Sequence, residues 1–199
     1  MSKKTNTESL EFDAYYHIYN RGVAGGDIFQ EHDNYLYFLN KYAEYASTVF
    51  ETYSYCLLRN HFHFFIKVKS AKAVPDIGTP SALSQRIGTF FNVYAQSFNK
   101  RFGRTGPLFE SPFRRIRVDD DSYFTAIIRY IHHNPVKHKT GIDFRHYPYS
   151  SYPALLSLKS TKLMRKEVLD WFGGKDAFIN AHELDDSQTH VNPSFFLDF

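Results

Sequence analysis

The sequence predicts an α+β fold in which helices pack on one face of an antiparallel sheet. Hydrophobic periodicity along the chain gives the order strand, helix, strand, strand, helix, strand, helix. A two-residue turn joins the second and third strands, which is typical of an antiparallel hairpin. The chain has 199 residues, 43% of them hydrophobic, which is enough for the core of one domain.

The first half of the chain contains this hairpin and the strand and helix that precede it. Runs of aromatic and β-branched residues indicate strands, and apolar residues at helical spacing indicate a helix. The predicted elements are a strand at residues 12–20, a helix at 31–48, a strand at 50–58 and a strand that begins at His61. Arg59 and Asn60 form the turn between the last two strands.

The second half follows a loop at residues 70–81, which contains Pro75, Gly78 and Pro80. The predicted elements are a helix at residues 82–102, a strand at 113–118, a helix at 122–133, and two short helices at 164–172 and 175–184. Pro135 is expected to end the helix at 122–133, because proline has no backbone N–H to continue the hydrogen bonding.

The overall composition favours a protein of a reducing compartment. Cys56 is the single cysteine, which excludes an intrachain disulfide bond. The net charge of +3 and the isoelectric point near 8.8 are only mildly basic. No apolar run approaches the length that crosses a bilayer, and the first residues lack the apolar core of a signal peptide. We therefore expect a cytoplasmic protein that does not bind membranes.

Basic residues concentrate between residues 82 and 117, with aromatic residues interleaved among them. They are Arg86, Lys100, Arg101, Arg104, Arg114, Arg115 and Arg117. Glu110 is the one acidic residue in this stretch. The pattern is compatible with a solvated helix face, but it also suits a surface that follows nucleic-acid phosphates, which we favour.

Two histidines on the third strand form the first candidate site. Side chains alternate between the faces of a strand, so His61 and His63 share one face and Phe62 and Phe64 the other. Two imidazoles at this spacing can reach one metal ion. The alternative interpretation is a pair of exposed or hydrogen-bonded histidines on an ordinary strand.

The helix before Pro135 contains the second candidate site, because Tyr130 and Asn134 are four residues apart and lie on one helical face. A tyrosine phenolate beside a metal ion can attack a phosphodiester and leave a covalent phosphotyrosine. The alternative is a tyrosine that fills the helix–sheet interface. Spacing alone does not select Tyr130 from the 15 tyrosines of the chain.

Short motifs in the chain, taken together, resemble the single-tyrosine HUH transposases, especially the REP-associated tyrosine transposases. The two central motifs are His-Phe-His at residues 61–63 and Tyr-Ile-His-His-Asn-Pro-Val-Lys at residues 130–137. Further matches in the family's order lie at residues 17–22, 103–109 and 147–152. The segment after about residue 155 matches none of these motifs.

This resemblance implies a ferredoxin-like plait. It implies a catalytic domain at residues 1–152 and a short helical C-terminal extension of unknown role at 153–199. In that domain, His61 and His63 would bind Mg²⁺ or Mn²⁺ with Asn134 as a candidate third ligand, and Tyr130 would be the nucleophile. Two imidazoles alone would suit a softer ion such as Zn²⁺, whereas oxygen ligands favour harder ions.

The resemblance also implies a substrate and a reaction. The substrate would be single-stranded DNA, often folded as an imperfect palindromic hairpin, and cleavage would leave a 5′-phosphotyrosine and a free 3′-OH for later rejoining. Arg21, Arg104, Arg114 and Arg115 would contact this DNA. Some relatives are homodimers in which the tyrosine of one subunit completes the site of the other, and others are monomers.

Two other functions are compatible with the same residues. One is a non-catalytic DNA-binding descendant of a transposase, which the presence or absence of divalent-metal binding would test. The other is a metal-dependent phosphodiesterase that uses activated water, which would release product without a covalent protein–DNA adduct.

Overall fold

The structure is a computed structural model that describes residues 8–184. The strands are β1 (Tyr15–Arg21), β2 (Phe50–Leu58), β3 (His61–Val68) and β4 (Arg114–Val118). The α-helices are α1 (His32–Tyr45), α2 (Pro80–Phe102), α3 (Phe124–Lys137), α4 (Tyr152–Leu156), α5 (Arg165–Phe172) and α6 (Lys175–Glu183). Helix α4 is the one α-helix of this region that the sequence pattern did not predict.

The four strands form one antiparallel sheet in the order β2-β3-β1-β4. With α1 between β1 and β2 and α2 between β3 and β4, this topology is the predicted α+β plait, and the fold prediction is confirmed. The β1–β3 register places Arg21 opposite His61 and Tyr19 opposite His63. The candidate site therefore lies where β1 ends and β3 begins.

Each face of the sheet is covered by its own layer of helices. Helices α1 and α2 pack on the face that carries Phe62, Phe64 and Ile66. The opposite face is covered by α3 and the helices after it, a second layer that the prediction of helices on one face did not describe. Buried residues of this second layer are Phe65, Val118, Ile127, Tyr130, Tyr152, Leu155, Val168 and Phe178.

Local sequence signals account for the long helix α2. The hydroxyl of Thr79 accepts a hydrogen bond from the Ala82 N–H, and Pro80 occupies the first turn, where its missing N–H costs little. Gly103 ends the helix at φ 60°, a left-handed conformation that glycine adopts without strain.

The end of α3 corrects one prediction. Pro135 does not end this helix, which continues to Lys137. A proline in the last turn removes only one helical hydrogen bond, and the His138 N–H still donates to the Asn134 carbonyl at 2.9 Å. Asn134 is consequently inside the helix, one turn beyond Tyr130.

In the described residues 8–184, no helix has both the length and the apolar character needed to cross a membrane.

Candidate functional site

The two β3 histidines share one face of the sheet, as the alternation along the strand predicts, and α3 packs on this face. The His63 ring lies 5.6 Å from the Tyr130 ring, measured between centroids, and the two rings are nearly perpendicular. The His61 ring lies 4.3 Å from the His138 ring, just beyond the end of α3. The His61 and His63 rings are 5.3 Å apart. A helix remote in sequence therefore closes over both imidazoles.

Hydrogen bonds fix the orientation of both rings. His61 Nδ1 lies 2.7 Å from the Asn60 side-chain oxygen, so Nδ1 donates and a neutral ring keeps its lone pair on Nε2. His63 Nδ1 lies 2.9 Å from His17 Nε2, and one of these two nitrogens donates to the other. Bonds of this kind at one ring nitrogen orient the other nitrogen in metal-binding histidines.

Burial keeps both imidazoles neutral at pH 7. It lowers the pKa of His61 to about 3, and the nearby His138 lowers it further, while the neighbouring Asn134 side chain acts in the opposite direction. Burial and then His17 hold the pKa of His63 well below its ordinary value. A neutral imidazole is the form that binds a metal ion.

Helix α3 aligns three side chains along the sheet, because Tyr130, Asn134 and His138 follow one another every four residues. The Asn134 amide Nδ2 donates to the Tyr130 carbonyl at 2.9 Å. Its buried Oδ1 has no hydrogen-bond partner at ordinary distance among the residues that the structure describes. This oxygen is available as a ligand atom close to His61.

Tyr130 itself is buried, with 2% of its surface exposed. Its ring also contacts the His17 ring at 5.9 Å. The exposed Lys137 places its ammonium 4.5 Å from the Tyr130 ring centroid, which is a cation–π distance. Most of the Tyr130 side chain is therefore closed off from solvent.

The side chains at the site could supply some, but not all, of the ligand atoms of a divalent metal ion. Within residues 8–184, no three His, Cys, Asp or Glu side chains are grouped so that they could hold one metal ion. The site instead offers the neutral imidazoles of His61 and His63 and the buried amide oxygen of Asn134. This set suits an ion that takes its remaining ligands from phosphate and water.

The structure divides the four predicted DNA-binding arginines into two groups. Arg21 and Arg114 lie on the histidine side and share the Glu110 carboxylate, at 2.6 Å and 3.4 Å. Arg114 is opposite Tyr19, whose ring stacks 5.8 Å from that of His63.

The second group, Arg115 and Arg104, lies on the α1–α2 side of the sheet, away from the histidines. Arg115 is opposite Ile18, a core residue of the α1–α2 face, and its guanidinium lies 4.7 Å from the Phe113 ring. Arg104 follows the end of α2 and lies 5.8 Å from the Phe98 ring, on the same side of the sheet.

The sequence did not identify His17, His138, Lys137 or Glu110 as residues of the site. Two signals were present in the sequence: His17 alternates with Tyr19 and Arg21 along β1, and His138 follows Asn134 by one helical turn. Neither signal identifies a partner, since the contacts depend on how β1, β3 and α3 come together.

No protein-family model matches the chain, and no curated protein matches it. Among solved structures, the fold is similar to a REP-associated tyrosine transposase bound to a REP hairpin, with a TM-score of 0.55 and 13% sequence identity. The match covers 77% of this chain and 84% of the other. At this identity, the similarity shows the fold alone.

Proposed function

We propose that the protein is a metal-dependent transposase that cleaves and rejoins single-stranded DNA through a 5′-phosphotyrosine at Tyr130. The observation that carries this proposal is the contact between the Tyr130 ring and His63, at 5.6 Å. It brings the nucleophilic oxygen of an α3 side chain beside the neutral imidazole of His63, which is itself next to His61. The fold's similarity to a transposase bound to a hairpin supports hairpin DNA as the ligand class.

His61, His63 and Asn134 would hold Mg²⁺ or Mn²⁺ in this mechanism. When bound, the ion supplies positive charge that withdraws electrons from the scissile phosphate. The Tyr130 oxygen would form a bond to phosphorus while the bond from phosphorus to the 3′ oxygen of the neighbouring nucleotide breaks; the phenol proton would pass to solvent, and the leaving 3′ oxygen would take up a proton to become a 3′-OH. The phosphotyrosine bond retains the free energy for rejoining.

Lys137 has a direct part in this proposal. An ordinary phenol has a pKa near 10 and is a weak nucleophile at neutral pH. The positive charge of the Lys137 ammonium, 4.5 Å from the ring, would stabilise the negative charge that develops on the Tyr130 oxygen and on the phosphate. Entry of DNA would draw this exposed lysine away from the ring and toward the phosphate.

The arginines would hold the DNA backbone. Arg21 and Arg114 lie beside the histidines and would bind phosphates next to the scissile bond, whereas Arg104 and Arg115 would bind more distant phosphates. Tyr130 lies beside His63 of the same chain, which supports a cleavage that would use the tyrosine of one subunit alone. A homodimer and a cytoplasmic location stay predictions.

A non-catalytic DNA-binding protein is the second candidate, and one observation favours it. Tyr130 is as well buried as a core residue, as expected for a tyrosine that only fills the interface between α3 and the sheet. Such a protein would bind hairpin DNA and leave it intact.

Strand-specific labelling separates these functions. The protein is incubated with Mn²⁺ and a pool of hairpin oligonucleotides that carry randomised single-stranded flanks, labelled at either end, and is then resolved by denaturing electrophoresis. We expect 3′-labelled DNA to give a labelled protein band and 5′-labelled DNA to give only a shorter free fragment. Chelation of the metal should prevent both.

Two outcomes would contradict the proposal. Free fragments from both labels without a labelled protein band would indicate hydrolysis by water. Bound but intact DNA would indicate the non-catalytic protein.

A further inference from the structure

A groove of about 470 Å³ lies between α2 and the segment that follows this helix, residues 106–113. Its size is within the usual range for small-ligand sites. Arg21, opposite His61, accepts a hydrogen bond on its carbonyl from the Glu110 N–H, and Glu110 lines the groove. One end of the groove therefore lies beside Arg21 at the end of β1, and the groove itself is on the α1–α2 side of the sheet, opposite to the face of the histidines.

The α2 wall of this groove is a row of neutral carboxamides. Asn92, Gln96 and Asn99 are four and three residues apart, which places them along one face of the helix. Asn99 Nδ2 donates to the Gly106 carbonyl at 2.9 Å and so fixes the far wall. Its buried Oδ1 has no hydrogen-bond partner within residues 8–184, so an acceptor is left for a ligand.

The far wall and floor of the groove are aromatic. Phe91 lies 5.1 Å from Phe109 and 5.6 Å from Phe113, between ring centroids, and all three rings line the groove. A flat, polarisable ligand could stack on these rings at little cost, because the rings give up few hydrogen bonds to water.

The charge of the groove is compatible with a nucleic acid. Among the described residues that line it, Glu110 alone has a formal charge. Its carboxylate binds Arg21 and Arg114, and its carbonyl accepts a hydrogen bond from Asn20 Nδ2 at 3.0 Å. The two arginines neutralise this carboxylate, so it does not repel a phosphate at the groove entrance.

Carboxamides beside aromatic rings are the groups that read an unpaired base. Asn and Gln bind both N6 and N7 of adenine, and aromatic side chains stack on bases of single strands. We propose that this amide groove binds an unpaired base, with adenine preferred, of the single strand that enters the candidate site. The inference rests on the proposed function for the identity of the ligand.

A binding experiment under chelation tests this inference without any cleavage. The probes are a blunt DNA hairpin, the same hairpin with a short single-stranded adenosine extension on its 5′ or its 3′ side, and the same extensions with abasic sites. The parent should bind one of the adenosine-extended hairpins at least about fivefold more tightly than the abasic form, since stacking contributes about 1–3 kcal/mol per base.

The Asn92→Ala/Gln96→Ala variant should lose most of this advantage and bind the blunt hairpin like the parent. Both residues are exposed on a helix, so alanine should not disturb the fold. Gln85→Ala, at an exposed glutamine of α2 outside the groove, is the matched control and should behave like the parent.

Three outcomes would overturn the inference. Equal affinity of the parent for extended, abasic and blunt hairpins, with the covalent adduct still formed when Mn²⁺ is present, would reject the groove and leave the proposed function intact. An unchanged advantage of the adenosine extension in the double variant would place the base elsewhere. Absence of binding to any of these DNAs would reject both proposals.

Discussion

Helix α3 separates two buried clusters of histidines that differ in what surrounds them. The sheet cluster consists of His17, His61 and His63, between β1, β3 and the sheet side of α3. The back cluster consists of His132 and His182, between α3 and α6. Burial lowers the pKa of His132 and His182, as it does for His61 and His63. Burial and pKa therefore do not distinguish the two clusters.

Their partners do distinguish them. His132 Nδ1 bonds His182 Nε2 at 2.8 Å, and His132 Nε2 bonds the Ser151 hydroxyl at 2.8 Å. His182 Nδ1 donates to the Phe178 carbonyl at 2.8 Å, so the protein itself satisfies all four ring nitrogens. The sheet cluster instead contacts Tyr130 and lies beside the Asn134 amide oxygen. The back cluster is a hydrogen-bonded structural network, whereas the sheet cluster is the site that we propose to be reactive.

The largest expected difference between the clusters is in chemistry. His63→Ala should lower covalent-adduct formation per folded protein by at least about 100-fold, because even the groups that support metal ligands contribute about 10–100-fold. His132→Ala should instead lower the free energy of unfolding by about 2–4 kcal/mol, since it leaves a cavity and deprives the buried His182 Nε2 of its donor, while Ser151 keeps its bonds to Tyr55. Gel assays and urea unfolding measure the two quantities.

Thermal unfolding with Mn²⁺ is the control for the role of the metal. The ion should raise the Tm of the parent and of His132→Ala, but not that of His63→Ala, because only a ligand bound to the folded state stabilises it. Equal adduct formation by His63→Ala and the parent would reject His63 as a ligand.

The second prediction concerns acid stability, to which buried histidines of both clusters contribute. Burial lowers the pKa of His182 to about 3 in the folded state, against about 6.5 in the unfolded chain. The unfolded chain therefore takes up this proton first, and stability falls as the pH decreases from about 6.5 toward 3. Each such histidine contributes a slope of up to about 1.4 kcal/mol per pH unit. His182→Gln should reduce the number of protons taken up on unfolding by about one, and the slope should fall accordingly. A slope identical to that of the parent would contradict the lowered pKa of His182.

A smaller effect should follow a change at Lys137. Lys137→Gln should slow adduct formation about tenfold, since an exposed cation–π contact and phosphate attraction together contribute on the order of 1–2 kcal/mol. Lys139→Gln removes a nearby exposed lysine and should leave the rate unchanged. Single-turnover kinetics separate the variants, and equal rates would show that Lys137 only covers Tyr130.

The smallest effect should be in the salt dependence of binding. Arg114→Gln should reduce the slope of log K against log salt by about 1, as expected for the loss of one phosphate contact. Arg145, an exposed arginine paired with Asp143 and Glu183, is the matched control. Arg145→Gln should retain the parent's slope, and an equal slope for both variants would place the DNA away from Arg114.

Local patterns in the sequence predicted the framework of the fold well. The bounds of β2, the turn at Arg59 and Asn60, and the start of β3 agree with the structure, because alternation and turn chemistry act over a few residues. The end of α3 was wrong, since the cost of Pro135 depends on its place in the last turn. Helix α4 is only five residues long, too short for a periodic signal.

The candidate site was less predictable for a physical reason. The shared face of His61 and His63 follows from strand geometry, but the choice of Tyr130 came from motif resemblance. The contacts of His17 and His138 depend on strand register and on the continuation of α3 past Pro135, which no local pattern encodes. Likewise, nothing in the sequence separates His132 from His63 before their partners are known.

The most direct test of the reactive cluster is Tyr130→Phe, compared with Tyr152→Phe. Both tyrosines are buried, and Tyr152 packs against His132 of the back cluster. Each change therefore removes one phenol oxygen beside one of the two histidine clusters. With 3′-labelled hairpin DNA and Mn²⁺, we predict that Tyr152→Phe forms the covalent adduct and that Tyr130→Phe binds the DNA without forming it. A Tyr130→Phe protein that still becomes covalently labelled would contradict the central claim.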